Sequence, residues 1–460
     1  MNPNNNIDIK EFTEKIALLF SGRHYRDIKN ELSELEPVDI AEILEALPFE
    51  NLILIFRLLP KGLASEVFIE FLPETASSLI DSFSDKEISE MLGELYYDDT
   101  VDLIEEMPAN VVKRILKNVD EKSRKIINEL LQYPENGTGS IMTTEYVGLR
   151  PSMTVGEALD HIRSVAIEKE TIYTCYVLDR KMLVGIVSAK DLLISGLDKK
   201  ISDIMETGVI SVSAYADKEE AAHIFERYDF LALPVVDKES RMVGIITFDD
   251  VMDVIREETE EDFAKMAATT PGDKPYIKTS AIEIWKKRIP WLLLLMASAT
   301  FTGMIISSFE AALAAQIALT SFIPMLMGTG GNSGSQSSVA AIRGLSLGEI
   351  KFSDIFRVMW KEFRVSILCG VTLAVATFIK ILLFDNLVMG SGVSIVVAGV
   401  VCITLALTVV CAKLIGSALP ILADKIGLDP AVMASPFITT LVDALSLLIY
   451  FGMASALLGI

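Results

Sequence analysis

The pattern of apolar and polar positions divides the chain into four stretches. In residues 1–135 apolar residues fall at i, i+3 and i+4, as in DIAEILEALP (39–48) and TVDLIEEMP (100–108). That is the helical period. Prolines at 37, 48, 60, 73 and 108 punctuate it roughly one helix apart, and proline sets helix boundaries because it lacks the amide hydrogen and fixes φ. Short helices that each need a neighbour to bury their apolar face predict an all-α superhelix. PENGTGS (134–140) reads as a turn-rich linker. Residues 136–248 contain an internal repeat. IMTTEYVGLRPSMTVGEAL with YVLDRKMLVGIVSAKDLL is followed by IMETGVISVSAYADKEEAA with PVVDKESRMVGIITFDDVM. Each copy predicts a helix, two β-branched strands and another helix. Residues 249–270 predict one long acidic connecting helix, and 271–460 hold five apolar segments, near 291–309, 316–342, 362–384, 393–419 and 431–458. Each exceeds or approaches the ~20 residues that a membrane-spanning helix needs.

The basic residues orient these spans. Lys286, Lys287 and Arg288 precede the first; Arg343, Lys351, Arg357, Lys361 and Arg364 lie between the second and third; Lys425 lies between the fourth and fifth. With five spans all three groups fall on one side, which the positive-inside rule makes the cytosol. The opening MNPNNNIDIKEF has no apolar core of signal-peptide type. The N-terminus is therefore expected in the cytosol and the C-terminus outside, in a multi-pass protein of the cell membrane. Lys413, late in the fourth span, is expected to snorkel to the cytosolic interface.

Charge sharpens the division. From Pro290 onward the chain carries eight acids and eight bases, so its whole net charge of −22 resides in the first 289 residues. An acidic region of that size argues against nucleic-acid binding, which wants a basic face, and suits cation binding or solubility. Cys175, Cys369, Cys402 and Cys411 form no CxxC and read as small hydrophobes in a reducing compartment. No P-loop, GxSxG or HExxH is present, so the chain is not expected to be an enzyme.

Two elements carry chemistry within the spans. Asp443 lies inside the last, where a carboxylate is costly and marks an ion path unless it is hydrogen-bonded within the bundle. Thr439 and Ser435 share its helix face. The second span contains PMLMGTGGNSGSQ (324–336). Such a sequence predicts either a broken helix lining a cavity, with carbonyls free to coordinate a cation, or close helix packing through small residues. The available ligands are all oxygens, which points to hard cations. A single carboxylate per chain suits a hydrated Mg²⁺ held through its waters.

The repeated Gly-h-h-Ser/Thr-x-x-Asp element, Gly185 to Asp191 and Gly244 to Asp250, resembles that of a tandem pair of CBS domains. The resemblance implies that Ser188 and Asp191 face a ribose and that Tyr173 and Phe230 flank an adenine. ATP or another adenine nucleotide is thus an expected ligand, with dimerisation alone as the alternative role. The full order of acidic helical domain, CBS pair, connecting helix and five spans resembles the MgtE family of Mg²⁺ channels. GTGGNSGSQ (328–336) and TTLVDALSLLIYF (439–451) match its membrane motifs. That resemblance implies a homodimer with a pore on the two-fold axis. Asp443 would be the ion-site carboxylate, with Gly328, Gly331 and Asn332 on the second span and Ser435 and Thr439 on the fifth. It also implies regulatory Mg²⁺ sites at Asp98 and Asp102, at Asp217, Glu219 and Asp229, and at Asp250, Asp253, Glu258, Glu261 and Asp262. Asp99 is the alternative to Asp98 within YYDD.

The expected activity is Mg²⁺ uptake closed by Mg²⁺ itself. Packed carboxylates repel, so divalent ions stabilise a closed arrangement by mass action and their loss releases it. Competing readings are a broader divalent transporter for Co²⁺, Mn²⁺ or Ca²⁺, an anion channel, and a membrane-anchored nucleotide sensor.

Overall fold

Every proline that punctuates the N-terminal region starts a helix. In the computed structural model, which describes residues 8–272, 276–433 and 435–459, the first stretch comprises α1 (Ile9–Ser21), α2 (Tyr25–Leu32), α3 (Pro37–Glu45), α4 (Phe49–Phe56), α5 (Lys61–Ile69), α6 (Pro73–Ser82), α7 (Asp85–Leu92), α8 (Tyr97–Glu106), α9 (Ala109–Asn118) and α10 (Glu121–Leu130). Pro37 and Pro73 occupy the first turns of α3 and α6, where a missing amide costs nothing. Pro48, Pro60 and Pro108 directly precede α4, α5 and α9. Helices α1, α3, α5, α7 and α9 pack in succession, the expected superhelix. Phe56 stacks on Phe83 with ring centroids 5.6 Å apart and also meets Phe68 and Phe71. The Arg114 guanidinium donates to the carbonyls of Ile80 and Phe83 where α6 ends, which satisfies carbonyls that have no partner within the helix.

PENGTGS is turn-forming but not loose. Thr138 and Ser140 are buried, and the amides of Thr138 and Gly139 donate to the carbonyls of Ala216 and Ala214 at 2.8 and 3.0 Å. The superhelix and the second repeat consequently share one hydrophobic core, from Ile16 through Leu130 to Val235.

Each repeat has the predicted helix, strand, strand, helix order, preceded by a short strand. The first comprises β1 (Gly148–Leu149), α11 (Val155–Val165), β2 (Thr174–Asp179), β3 (Met182–Ser188) and α12 (Ala189–Ile194). The second comprises β4 (Val212–Ser213), α13 (Lys218–Tyr228), β5 (Ala232–Val236), β6 (Met242–Thr247) and α14 (Phe248–Met266). In both sheets the short strand pairs in parallel and the other two antiparallel, with a register shift at equivalent places, Val177/Leu178 and Val235/Val236. The copies interlock. Thr143, opening the first, bridges Ile245, and Glu206, opening the second, bridges Ile186. This explains the motif glycines. A Cβ at Gly185 would lie 2.9 Å from the Glu206 carbonyl, and one at Gly244 would lie 2.6 Å from that of Thr143. The Ile-Met opening each copy and the glycine of the other copy are one packing unit.

The chain forms two bodies, Met1–Ile255 and Arg256–Ile460, and α14 runs across the division. The second body contains α15 (Ala281–Ser308), α16 (Glu310–Ala315), α17 (Ile323–Ser346), α18 (Ile355–Lys380), α19 (Ile395–Lys425) and α20 (Ser435–Leu458). Among the described residues four helical stretches are long and apolar enough to cross a membrane: Ala281–Ser308, Phe352–Val388, Ile395–Lys425 and Pro430–Leu458. The remaining long helix, α17, has sufficient length at 24 residues, but its glycines and serines keep its hydropathy low. The bases at 286–288 fall within α15 rather than ahead of it. Beyond α18 the chain continues in wide i→i+5 turns, Ile381–Val388, where buried Asp385 pairs with Lys380 at 2.8 Å.

The glycine-rich span is not broken. Helix α17 runs continuously through GTGGNSGSQ, which corrects the broken-helix expectation in favour of close packing. A Cβ at Gly330 would stand 2.7 Å from Thr408 Cγ2 and 2.9 Å from Ser446 Oγ; one at Gly334 would stand 2.7 Å from Ile438. Small residues here let α17 approach α19 and α20 backbone to backbone.

Candidate ion sites

Asp443 lies on α20, half-buried. Its carboxylate makes no hydrogen bond or ion pair with any described residue, so it is not an acid satisfied within the bundle. Gly331 of α17 meets Thr439, and Gly330 meets Val442 and Ser446. Positions therefore rise along α20 as they fall along α17, and the two helices run antiparallel. Asp443 lies between Val442 and Ser446, both of which meet Gly330, so it comes level with Gly330, midway between Gly328 and Asn332. Gly328 and Asn332 are exposed, Gln336 extends their stripe along α17, and nothing lies within 4 Å of a Cβ placed at Gly328. Gly331 is buried in the helix contact, and the Thr439 hydroxyl donates to the Pro436 carbonyl at 3.0 Å. The side chain of Ser435 lies outside the described residues.

Lys413 does not snorkel. It is 5% exposed, and its ammonium donates to the Ser337 hydroxyl at 3.3 Å. Helical phase decides this, because its position on α19 faces α17 and not the helix end.

The first body gathers many carboxylates. Asp98, Asp99 and Asp102 on α8 face Asp249 and Asp250 at the start of α14, with Glu170 and Glu145 of the first repeat beside them. Asp98 is 6% exposed, and its Oδ1 and Glu170 Oε2 are buried with no hydrogen-bond partner among the described residues. Burial first, then Asp250, Asp99 and Glu170, holds the Asp98 carboxyl well above the usual range. Burial and then Asp249, Asp250, Asp99 and Glu145 push Glu170 up to about 7. Asp102 rises to about 7 through desolvation first and Asp250 next, although its side chain is exposed at the edge of the cluster, where water screens it. Burial raises Asp99 and Asp250 to about 6, the latter despite a hydrogen bond from Thr247 at 2.5 Å. Both Asp98 and Asp99 belong to the cluster, Asp98 toward Asp250 and Asp99 toward Asp249 and Glu70. Glu145, Glu170 and Asp249 escaped the sequence reading because nothing local marks them. Among the described residues no three carboxylates converge closely enough to cage a bare ion. The donor set is all oxygen and suits an ion that keeps its waters.

The remaining candidates lie apart from this cluster. Asp217 caps α13, accepting from the Glu219 amide at 3.0 Å, and Glu219 meets His223 at 3.7 Å. Asp229 ends the same helix with φ +53°, so the 11 residues of α13 separate it from Asp217, and Glu219 lies in the first turn at the opposite end. Asp253 and Glu258 lie along α14. At its far end Asp262 accepts from Ser346 at 3.4 Å, and burial first and then Asp429 raise its pKa. Lys265 bridges Glu261 and Asp429. Asp429, between α19 and α20, is a further acid that no local pattern singles out.

In the first repeat Ser188 caps α12 and is bonded to Asp191 Oδ2 at 2.5 Å; Tyr173, 67% exposed, lies at the same strand end, its carbonyl accepting from the Ala189 amide. Phe230 instead stacks on Tyr228 at 5.5 Å, and among the described residues no ring contact joins it to Tyr173.

A bundle of long apolar helices that holds within a span a carboxylate, Asp443, partnered by no described residue, joined to a carboxylate-rich body, is the build of a multi-pass cation-transport protein. Comparison with known proteins makes the class specific. Residues 323–453 match the MgtE divalent cation transporter family, 35–136 the MgtE intracellular N domain, and 139–197 and 201–257 the CBS domain. The magnesium transporter MgtE of Thermus thermophilus is 36% identical over 94% of this chain and 95% of its own length. That of Bacillus subtilis is 35% identical over 98% of both. The cytosolic domain of the Mg²⁺ channel MgtE, solved in complex with ATP, covers 53% of this chain at 34% identity and a TM-score of 0.51. The soluble part of a magnesium transporter covers 55% at 28% identity and the same TM-score. The chain belongs to the MgtE family, a family of transporters and not of enzymes.

Proposed function

We propose that this protein takes Mg²⁺ into the cell as a homodimer, through a pore in which Asp443 is the ion-site carboxylate. The observation that carries the reading is that Asp443 is half-buried in a span, has no protein partner among the described residues, and stands level with the open stripe of Gly328 and Asn332. Such a carboxylate is ready for a cation. The oxygen-only surroundings and the names of its relatives favour Mg²⁺ over softer metals. Two facing carboxylates, one per protomer, attract a hydrated divalent ion without stripping it, which suits Mg²⁺. With the bases of the 343–364 segment on the cytosolic side, the C-terminus lies outside.

Closure is assigned to the first body. At the carboxylates of α8 and the start of α14, burial first and repulsion between neighbouring acids after it raise Asp98, Asp102 and Asp250. Cytosolic Mg²⁺ neutralises them and holds α14 in place; its loss lets α14 move. Asp217, Glu219, Asp229, Asp253, Glu258, Glu261 and Asp262 would add weaker sites along the same route. An adenine nucleotide would sit at Tyr173, Ser188 and Asp191, since the solved relative holds ATP; Phe230 reaches it only by leaving Tyr228.

The test is Mg²⁺ flux into proteoliposomes, with and without millimolar Mg²⁺ on the cytosolic face. Wild-type protein should conduct and then close, and Asp443→Ala should abolish flux while the protein elutes as wild type does. Full flux by that variant removes the pore assignment.

A further inference from the structure

Helix α19 carries an ammonium in its interior. Lys413, 5% exposed, reaches the Ser337 hydroxyl of α17 at 3.3 Å, and that same hydroxyl donates to Glu362 Oε2 of α18 at 2.6 Å. Ser337 is itself buried, and three residues before it Gly334 forms the tight contact with α19 and α20. One hydroxyl therefore joins a buried cation to a carboxylate across three helices, on the helix that bears the Gly328–Asn332 stripe. A cavity of ≈ 330 Å³ borders Ser337, Glu362, Ser417 and Lys361. Glu362 lines this cavity, whereas Lys413 does not.

We propose that Lys413, Ser337 and Glu362 form a compensated charge relay that seats α17 for cation passage, and that Lys413 and Glu362 are positioning residues for transport. The physical reason is the low dielectric of the bundle. A buried ammonium needs a counter-charge, and left uncompensated it repels a divalent ion at a range that water would screen. Glu362 supplies the counter-charge through Ser337, which fixes how α17 stands against α18 and α19. The proposal rests on the second body being the ion path.

The experiment measures Mg²⁺ flux into proteoliposomes, resolved into KM and maximal rate, together with thermal unfolding, for wild type, Glu362→Gln, Glu362→Asp, Lys413→Met, Ser337→Ala and the Lys413→Met/Glu362→Gln pair. Glu362→Gln should lower maximal flux at least tenfold, and Glu362→Asp should retain most of it. The paired variant should return to within about threefold of wild type, because the cation is removed with its partner. A purely structural role would make flux follow unfolding temperature in every variant, the pair included. Wild-type flux in Glu362→Gln, or no recovery in the pair, overturns the proposal. Should Glu362→Gln not fold, Ser337→Ala decides: both charges remain, and flux must fall at least threefold at an unchanged unfolding temperature. Should wild-type protein carry no Mg²⁺, the pore reading fails separately, and the relay stands or falls on the Lys413–Glu362 coupling in unfolding.

Discussion

The two halves of this protein use carboxylates in opposite ways. In the first body Asp98, Asp99, Asp102, Asp250, Glu145 and Glu170 are gathered around Asp249 with so little compensation that burial and repulsion raise the pKa values of these six. In the second, Asp443 stands alone on an apolar helix, with glycines on the facing helix making room for close packing. A crowd of acids responds collectively to cation concentration, since each ion that binds relieves several repulsions. A lone acid offers one attraction to one passing ion. The same chemical group thus serves sensing where it is dense and passage where it is single.

The largest expected effect breaks the passage side. Asp443→Ala should reduce Mg²⁺ flux by about a hundredfold or more, with little change in unfolding temperature, because removing an unpartnered buried charge relieves a desolvation cost. Next comes the sensing side. The triple change Asp98→Asn, Asp102→Asn, Asp250→Asn should leave flux open at millimolar cytosolic Mg²⁺ that closes wild type, and should raise the unfolding temperature measured without divalent ions. A variant that still closes would refute the cluster as sensor.

The third effect is on pH. Asp102 and Glu170 titrate near 7, and Asp99 and Asp250 near 6, in the folded chain, against roughly 4 when unfolded. Raised carboxyl values mean that their favourable contribution is complete below about pH 4 and is lost as pH climbs through 6 to 7. Metal-free protein should therefore lose stability across that window. Mg²⁺ must displace protons below it, so its affinity should weaken by about tenfold per pH unit for each proton displaced. Thermal shifts produced by Mg²⁺ at pH 5.5 and 8.0 check this, and equal shifts would contradict it. The smallest effect belongs to the acids outside the cluster. Asp229→Asn should change the closing concentration by no more than about twofold, since it lies at the far end of α13 from Asp217 and Glu219; a larger change would extend the sensor to α13.

Local rules made much of this readable. Proline positions set the starts of α3, α4, α5, α6 and α9, because a ring that fixes φ and lacks a hydrogen acts on its own chain. The period of apolar residues separated superhelix, repeat and spans. Asp443 was conspicuous because one charge in an apolar run needs no partner to be noticed. What the sequence could not convey was decided by packing between distant segments. GTGGNSGSQ permits either a break or a tight helix, and only Thr408, Ile438 and Ser446 pressing against its glycines select the helix. Lys413 is equally plausible as a snorkelling base until helical phase turns it toward Ser337. Glu145, Glu170 and Asp249 become members of an acid cluster only when α8, the first repeat and α14 come together. By itself the sequence determined which groups exist and which helices carry them, since those depend on neighbours within a turn. The tertiary structure alone decided which groups meet, since repulsion, desolvation and close contact act through space and not along the chain.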